Sequence, residues 1–81
     1  MINLDLGVTM SAEFLKWFLA QKPFRRSRLV TYGGMEHLIE RPEEIDVDER
    51  DNTFRLYAMS KANFKMYRGT YALGDIEEIR Q

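Results

Sequence analysis

A chain of 81 residues with a net charge of −1 and no cysteine is expected to form one domain, without disulfide staples or thiolate metal centres. At this size only about 60–65% of the unfolded surface is buried on folding, so a compact apolar core, self-association or a partner must supply the stability. No apolar run reaches bilayer-spanning length, and MINLDLG lacks the basic and apolar regions of a signal peptide, so the expectation is a soluble cytoplasmic protein.

In chain order, INLDL alternates Ile2, Leu4 and Leu6 with Asn3 and Asp5, the period of a short half-buried strand, and Gly7 ends it. Residues 1–10 thus read as a strand and a loop. Ser11 is a helix cap and Glu13 suits the first turn, where the helix dipole favours negative charge. The helix is expected over 11–22, stopping before Pro23. Its apolar set, Ala12, Phe14, Leu15, Trp17, Phe18, Leu19 and Ala20, is wider than one face of a small sheet requires. Either the helix lies across an open barrel end, or Phe14, Trp17 and Phe18 meet another chain.

From residue 25 to 80 the pattern is that of strands. RSRLVTY and MEHLIER flank Gly33-Gly34, a hairpin signature. Pro42 places a bend or an edge. EEIDVDE alternates Ile45 and Val47 with acids, Asp51-Asn52 marks a turn, and TFRLYAMS puts Phe54, Leu56 and Ala58 on one side. In NFKMYRGTYAL strict alternation splits the apolar set and drives Arg68 inward. A bulge at Gly69 repairs this, with Phe64 and Met66 inward before it, Tyr71 and Leu73 inward after it, and Lys65, Tyr67 and Thr70 in solvent. GDIEEIRQ supplies a short turn and a last strand carrying Ile76 and Ile79.

Charge is unevenly spread. Residues 22–28 hold four positive charges and no acid, residues 36–52 hold eight acids against two arginines, and residues 55–68 are basic again through Arg55, Lys61, Lys65 and Arg68. A nearly neutral chain can therefore present a basic face.

The expected fold is α+β: an N-terminal helix followed by a strongly bent, about five-stranded antiparallel barrel, in the order of Sm-like and SH3-like barrels. Residues 53–79 resemble the strand region of WYL domains. FRLYAMS resembles the family's aromatic-aliphatic strand, and YALGDIEEI its closing segment, with Leu73, Asp75 and Ile76 on the usual Arg-x-Phe-x-Leu-Asp-Arg-Ile pattern and Gly74 displacing its spacing. The resemblance implies a regulatory binding module for nucleic acid or another small ligand.

Catalytic and metal chemistry finds little footing. DVDERD begins like a calcium loop with Asp46 and Asp48, but Arg50, Asp51 and Tyr57 stand at its fifth, sixth and twelfth positions. His37 is the only histidine and has no ligand spacing around it; sharing a face with Met35 and Ile39, it reads as a structural histidine. Ser11, Ser27 and Ser60 lack a base oriented by a third group. No enzyme activity, cofactor or metal is therefore expected.

Two functions stay open. The first is a small non-enzymatic module binding single-stranded nucleic acid or a nucleotide through Arg25, Arg26, Arg28, Lys65, Tyr67 and Arg68, with Tyr57 as a further stacking surface. In the opposing reading these cations pair with the acidic 43–49 segment and the tyrosines cap the core. The second function is a protein-interaction factor, a phage-type inhibitor or subunit adaptor, acting through the helix face or the acidic strand. A homo-oligomer is expected under either reading, with the INLDL strand offering an edge for pairing.

Overall fold

In the computed structural model, residues 3–5, 10–62 and 64–81 are described, the first three as backbone only. One helix and seven antiparallel strands occupy these residues: β1 (Asn3–Asp5), α1 (Ala12–Leu19), β2 (Ser27–Thr31), β3 (Glu36–Ile39), β4 (Ile45–Asp48), β5 (Thr53–Met59), β6 (Lys65–Ala72) and β7 (Ile76–Arg80). The expectations for Ile2, Leu6 and Gly7, and the facing of Leu4, lie outside the described residues.

The strands divide between two sheets, ordered β1-β7-β2-β3 and β4-β5-β6. The continuous barrel expected from the strand order is thus resolved into two sheets: among the described residues no ladder joins β3 to β4, or β6 to the first sheet. Pro42 is the physical reason for the first break. It lacks an N–H and opens a 3-10 turn, Pro42–Glu44, between β3 and β4. Glu44 closes that turn back on itself, its Oε1 accepting from the Glu40 N–H at 2.7 Å.

Ser11 caps α1, its side-chain oxygen accepting from the Phe14 N–H at 3.0 Å. The helix ends at Leu19, earlier than the expected Lys22. There the Ala20 N–H is shared between the carbonyls of Lys16 and Trp17, and the Gln21 N–H turns to Phe18. This tightened last turn lets the chain leave helical geometry before Pro23, whose ring disfavours a helical predecessor.

The β2–β3 hairpin turns through Tyr32-Gly33-Gly34-Met35. The Gly34 N–H bonds to the Thr31 carbonyl at 2.9 Å, and Gly34 itself has φ +87°, a conformation costly for any residue with a Cβ. β7 carries Ile76 and Ile79 three positions apart, yet both are fully buried. A register shift between Val30 and Thr31 explains this: Ile79 faces Leu29 and Ile76 faces Thr31, so one irregularity returns the second isoleucine to the inner face.

Met10, Leu15, Phe18, Leu29, Ile39, Ile45, Phe54, Leu56, Leu73, Ile76 and Ile79 form the core, drawn from the helix and both sheets. Of the broad apolar helix face only Leu15 and Phe18 are fully enclosed.

The expected bulge in β6 is present, one residue earlier than Gly69. Leu56 pairs with Gly69 and Tyr57 with Tyr67, leaving Arg68 as the extra residue. The inward placing of Phe64 and Met66 is corrected: they are 70% and 59% exposed. Their half of the hairpin lies beyond the core, so among the described residues the face they share with Phe54 and Leu56 is open there.

Candidate functional site

The residues singled out in the sequence lie in two places. Arg25, Arg26 and Arg28 line the chain between α1 and β2 and the start of β2, all exposed. The ladder of β2 with β7 sets Arg28 beside Arg80. Arg26, Arg28 and Arg80 then border a hollow of about 200 Å³ together with Ser27, Leu38 and Gln81. Gln81 also borders a larger cleft of about 360 Å³, walled by Phe14, Trp17, Phe18, Gln21, Pro23 and Arg25. The two hollows adjoin through this shared residue and the neighbouring Arg25 and Arg26.

Local structure fixes this arrangement. Phe18 points into the core and meets Phe24 edge-on, ring centroids 5.8 Å apart, which pins the chain leaving the helix. Ser27 is buried and its hydroxyl donates to the Arg25 carbonyl at 2.7 Å, so the arginine-bearing segment is held against β2. Trp17, one position before Phe18, turns outward at 58% exposure and leans on Phe14 with centroids 5.6 Å apart. Of the three residues expected at an interface, Trp17 is exposed, Phe14 half-buried and Phe18 part of the core.

The arginines differ in their pairing. Arg28 lies 3.9 Å from Glu36. Arg80 donates from Nε to Glu78 Oε1 at 2.7 Å, and that hydrogen bond together with the Glu78 charge raises its pKa further. Among the described residues no carboxylate lies within 4.0 Å of Arg25 or Arg26. An exposed pair such as Arg28–Glu36 is weak, so Arg28 can exchange its partner for another anion at little cost, whereas the Glu78 side chain that holds Arg80 is only 16% exposed.

Lys65 and Tyr67 belong to the other sheet. They share the outer face of β4-β5-β6 with Asp46, Asp48, Arg55 and Tyr57. Lys65 stands 3.8 Å from Asp46 and 5.2 Å above the Tyr57 ring. Arg55 stands 3.8 Å from Asp48, and Tyr57 meets Tyr67 with centroids 6.0 Å apart. The Tyr67 and Thr70 hydroxyls are 2.6 Å apart. On this face cations do meet the acidic strand, whereas Tyr67 stays 61% exposed instead of capping the core. Lys16 on the helix likewise pairs with Glu49.

Arg68 sits at the bulge, and its charge reaches His37. His37 is 3% exposed, its ring is 4.8 Å from that of Tyr71, and its Nε2 has no hydrogen-bond partner among the described residues. Burial first, and then the Arg68 charge, hold its pKa below the ordinary histidine value. Asp48 directs Oδ1 to the N–H groups of Arg50 and Asp51, the habit of a turn-forming aspartate. No cluster of three metal-ligating side chains occurs among the described residues.

Arg80, Gln21 and Pro23 join the site without having been singled out in the sequence. Arg80 enters through a long-range register that no local pattern reveals. Gln21 and Pro23 read as the end of a helix, and their wall position depends on how the chain turns after it. No helix is long and apolar enough to cross a membrane among the described residues. Comparison with protein-family models, with curated proteins and with solved structures finds no match for this chain.

Proposed function

We propose that this chain is a small non-enzymatic binding module, and that single-stranded nucleic acid binds where α1 meets β2. The observation that carries the reading is the junction of the two hollows. An aromatic cleft containing the exposed Trp17 adjoins a depression bordered by Arg26, Arg28 and Arg80. Single strands are held by a cationic track beside rings on which bases stack, and this surface offers both within one neighbourhood. Lys65, Tyr67 and Arg68 repeat that chemistry on the second sheet, where Asp46 competes for Lys65.

The fold reading that accompanies it is a bent, open relative of the SH3-type barrel, with β3 and β4 as two halves of one strand broken at Pro42. The sheet orders and the 3-10 turn Leu73–Asp75 before β7 support it. The WYL-like character of residues 53–79 would make the role regulatory.

The test is fluorescence anisotropy of labelled mixed-sequence single strands, RNA and DNA, at low and moderate salt. Binding should fall as salt rises, and Arg25→Ala with Arg26→Ala should flatten that dependence. Trp17→Ala should weaken binding by about 1–3 kcal/mol if the ring stacks on a base. Absence of binding at low salt overturns the reading.

The exposed Trp17 in its apolar cleft also favours a second reading, a protein-interaction factor. A partner held mainly there would be lost in Trp17→Ala and would tolerate Arg25→Ala and Arg26→Ala.

A further inference from the structure

Lys65, Met66, Tyr67 and Arg68 are all exposed, as is Phe64 before them, so the first half of β6 is open on both faces. β6 is also the outer strand of its sheet, and its only strand partner among the described residues is β5. Proteins blunt such edges with proline, bulges or inward charges. Here the bulge comes at Arg68, and residues 64–67 contain no proline, which leaves a regular free segment with Phe64 and Met66 on one face and Lys65 and Tyr67 on the other.

We propose that a second copy of this chain occupies this edge, β6 pairing antiparallel with its counterpart across a two-fold axis at Met66. The sequence selects this register by charge. A two-fold axis perpendicular to the sheet keeps each face on its own side, so the axis must pass through a residue and not between two. Centred on Met66, it sets Lys65 opposite Tyr67 of the second copy and Phe64 opposite Arg68 of the second copy. Every cation then meets an aromatic ring, and the pairing occurs twice by symmetry. Centred on Lys65, it would place two ammonium groups face to face. Centred on Tyr67, it would set Arg68 opposite Met66 and Lys65 opposite Gly69, so that neither cation meets a ring. In the Met66 register Lys65, already over Tyr57, lies between two tyrosines, and Met66 packs sideways against its own image on the apolar face. The Trp17 cleft is a poorer receiver for this hairpin, because Arg25 borders it and the hairpin end carries Lys61 and Lys65.

The test is sedimentation velocity of the full chain from about 1 to 100 μM, a range that covers the Kd of a small transient interface. Wild type should shift from monomer to dimer across it. Met66→Arg should raise the dimer Kd at least about tenfold with an unchanged circular dichroism spectrum, since the side chain is outside the core. The chain has no cysteine, so Met66→Cys provides a specific cross-link and should oxidise to a covalent dimer faster than Tyr32→Cys, an equally exposed control. A wild type that stays monomeric overturns the proposal. So does a dimer that survives Met66→Arg, or a Met66→Cys chain that cross-links no faster than the control.

Discussion

The two halves of the β5–β6 hairpin share one ladder, interrupted by the bulge at Arg68, and they end in opposite environments. Below the bulge, Phe54 and Leu56 are fully buried, and Tyr71 stacks on Phe54 with centroids 5.7 Å apart. Above it, Ala58 and Met59 are only half-buried, and Phe64 and Met66 stand in solvent. Alternation assigns a residue to a face. Burial depends on whether a second layer reaches that far along the strand, and among the described residues the core takes nothing from β5 beyond Leu56.

Substitutions can break this contrast. The largest effect is expected at Phe54, where truncation to Ala should cost about 3–5 kcal/mol, read as a lower midpoint in urea; a loss below about 1 kcal/mol would mean that the lower half is not packed as described. Gly69→Ala should cost about 1–3 kcal/mol. A Cβ there would lie 2.9 Å from the Tyr71 hydroxyl oxygen and 3.0 Å from its ring edge, and the ring has His37 and Phe54 behind it. If Tyr71 swings outward freely, the substitution will instead be neutral.

Acidification should act more mildly on the same region. His37 is held below the ordinary histidine pKa, so the unfolded chain takes up its proton at a higher pH than the folded one. Stability is complete above about pH 6.5 and declines as the pH falls from there toward the lowered folded value. His37→Gln should remove this part of the pH dependence in denaturant melts; a slope that persists would assign it to other groups. Smallest of all, Phe64→Ser in dilute solution should change stability by no more than about 0.5 kcal/mol, the usual range for surface positions. The contrast between Phe54 and Phe64, two phenylalanines of one hairpin, gives the sharpest comparison.

Much of the lower half was legible in the sequence. Phe54 and Leu56 follow period two, and the parity break between Met66 and Tyr71 required a bulge, found within one residue of its expected place. The upper half was not, because no local pattern states where a neighbouring layer ends. Phe64 and Met66 have the right parity for a core and lack a lid. The same reasoning separates Trp17 from Phe18, adjacent aromatics on one helix of which only the second meets the core. In the candidate site, Arg25, Arg26 and Arg28 were visible as a basic run. Arg80 was not, because its neighbour Arg28 is more than fifty residues away and only the β2–β7 register joins them.

That register also sets an order of events in folding. β7 lies between β1 and β2 and is the strand that links them, yet it leaves the ribosome after every strand it organises. The meander β4-β5-β6 closes through short turns and can pair as it emerges. The first sheet must keep β2 and β3 waiting, with an unfilled seam, until residues 76–80 arrive. The entropy of closing that long loop falls on the β2–β7 ladder, so substitutions that weaken this ladder are expected to slow refolding more than those in the β4-β5-β6 meander, a difference that stopped-flow refolding reads directly.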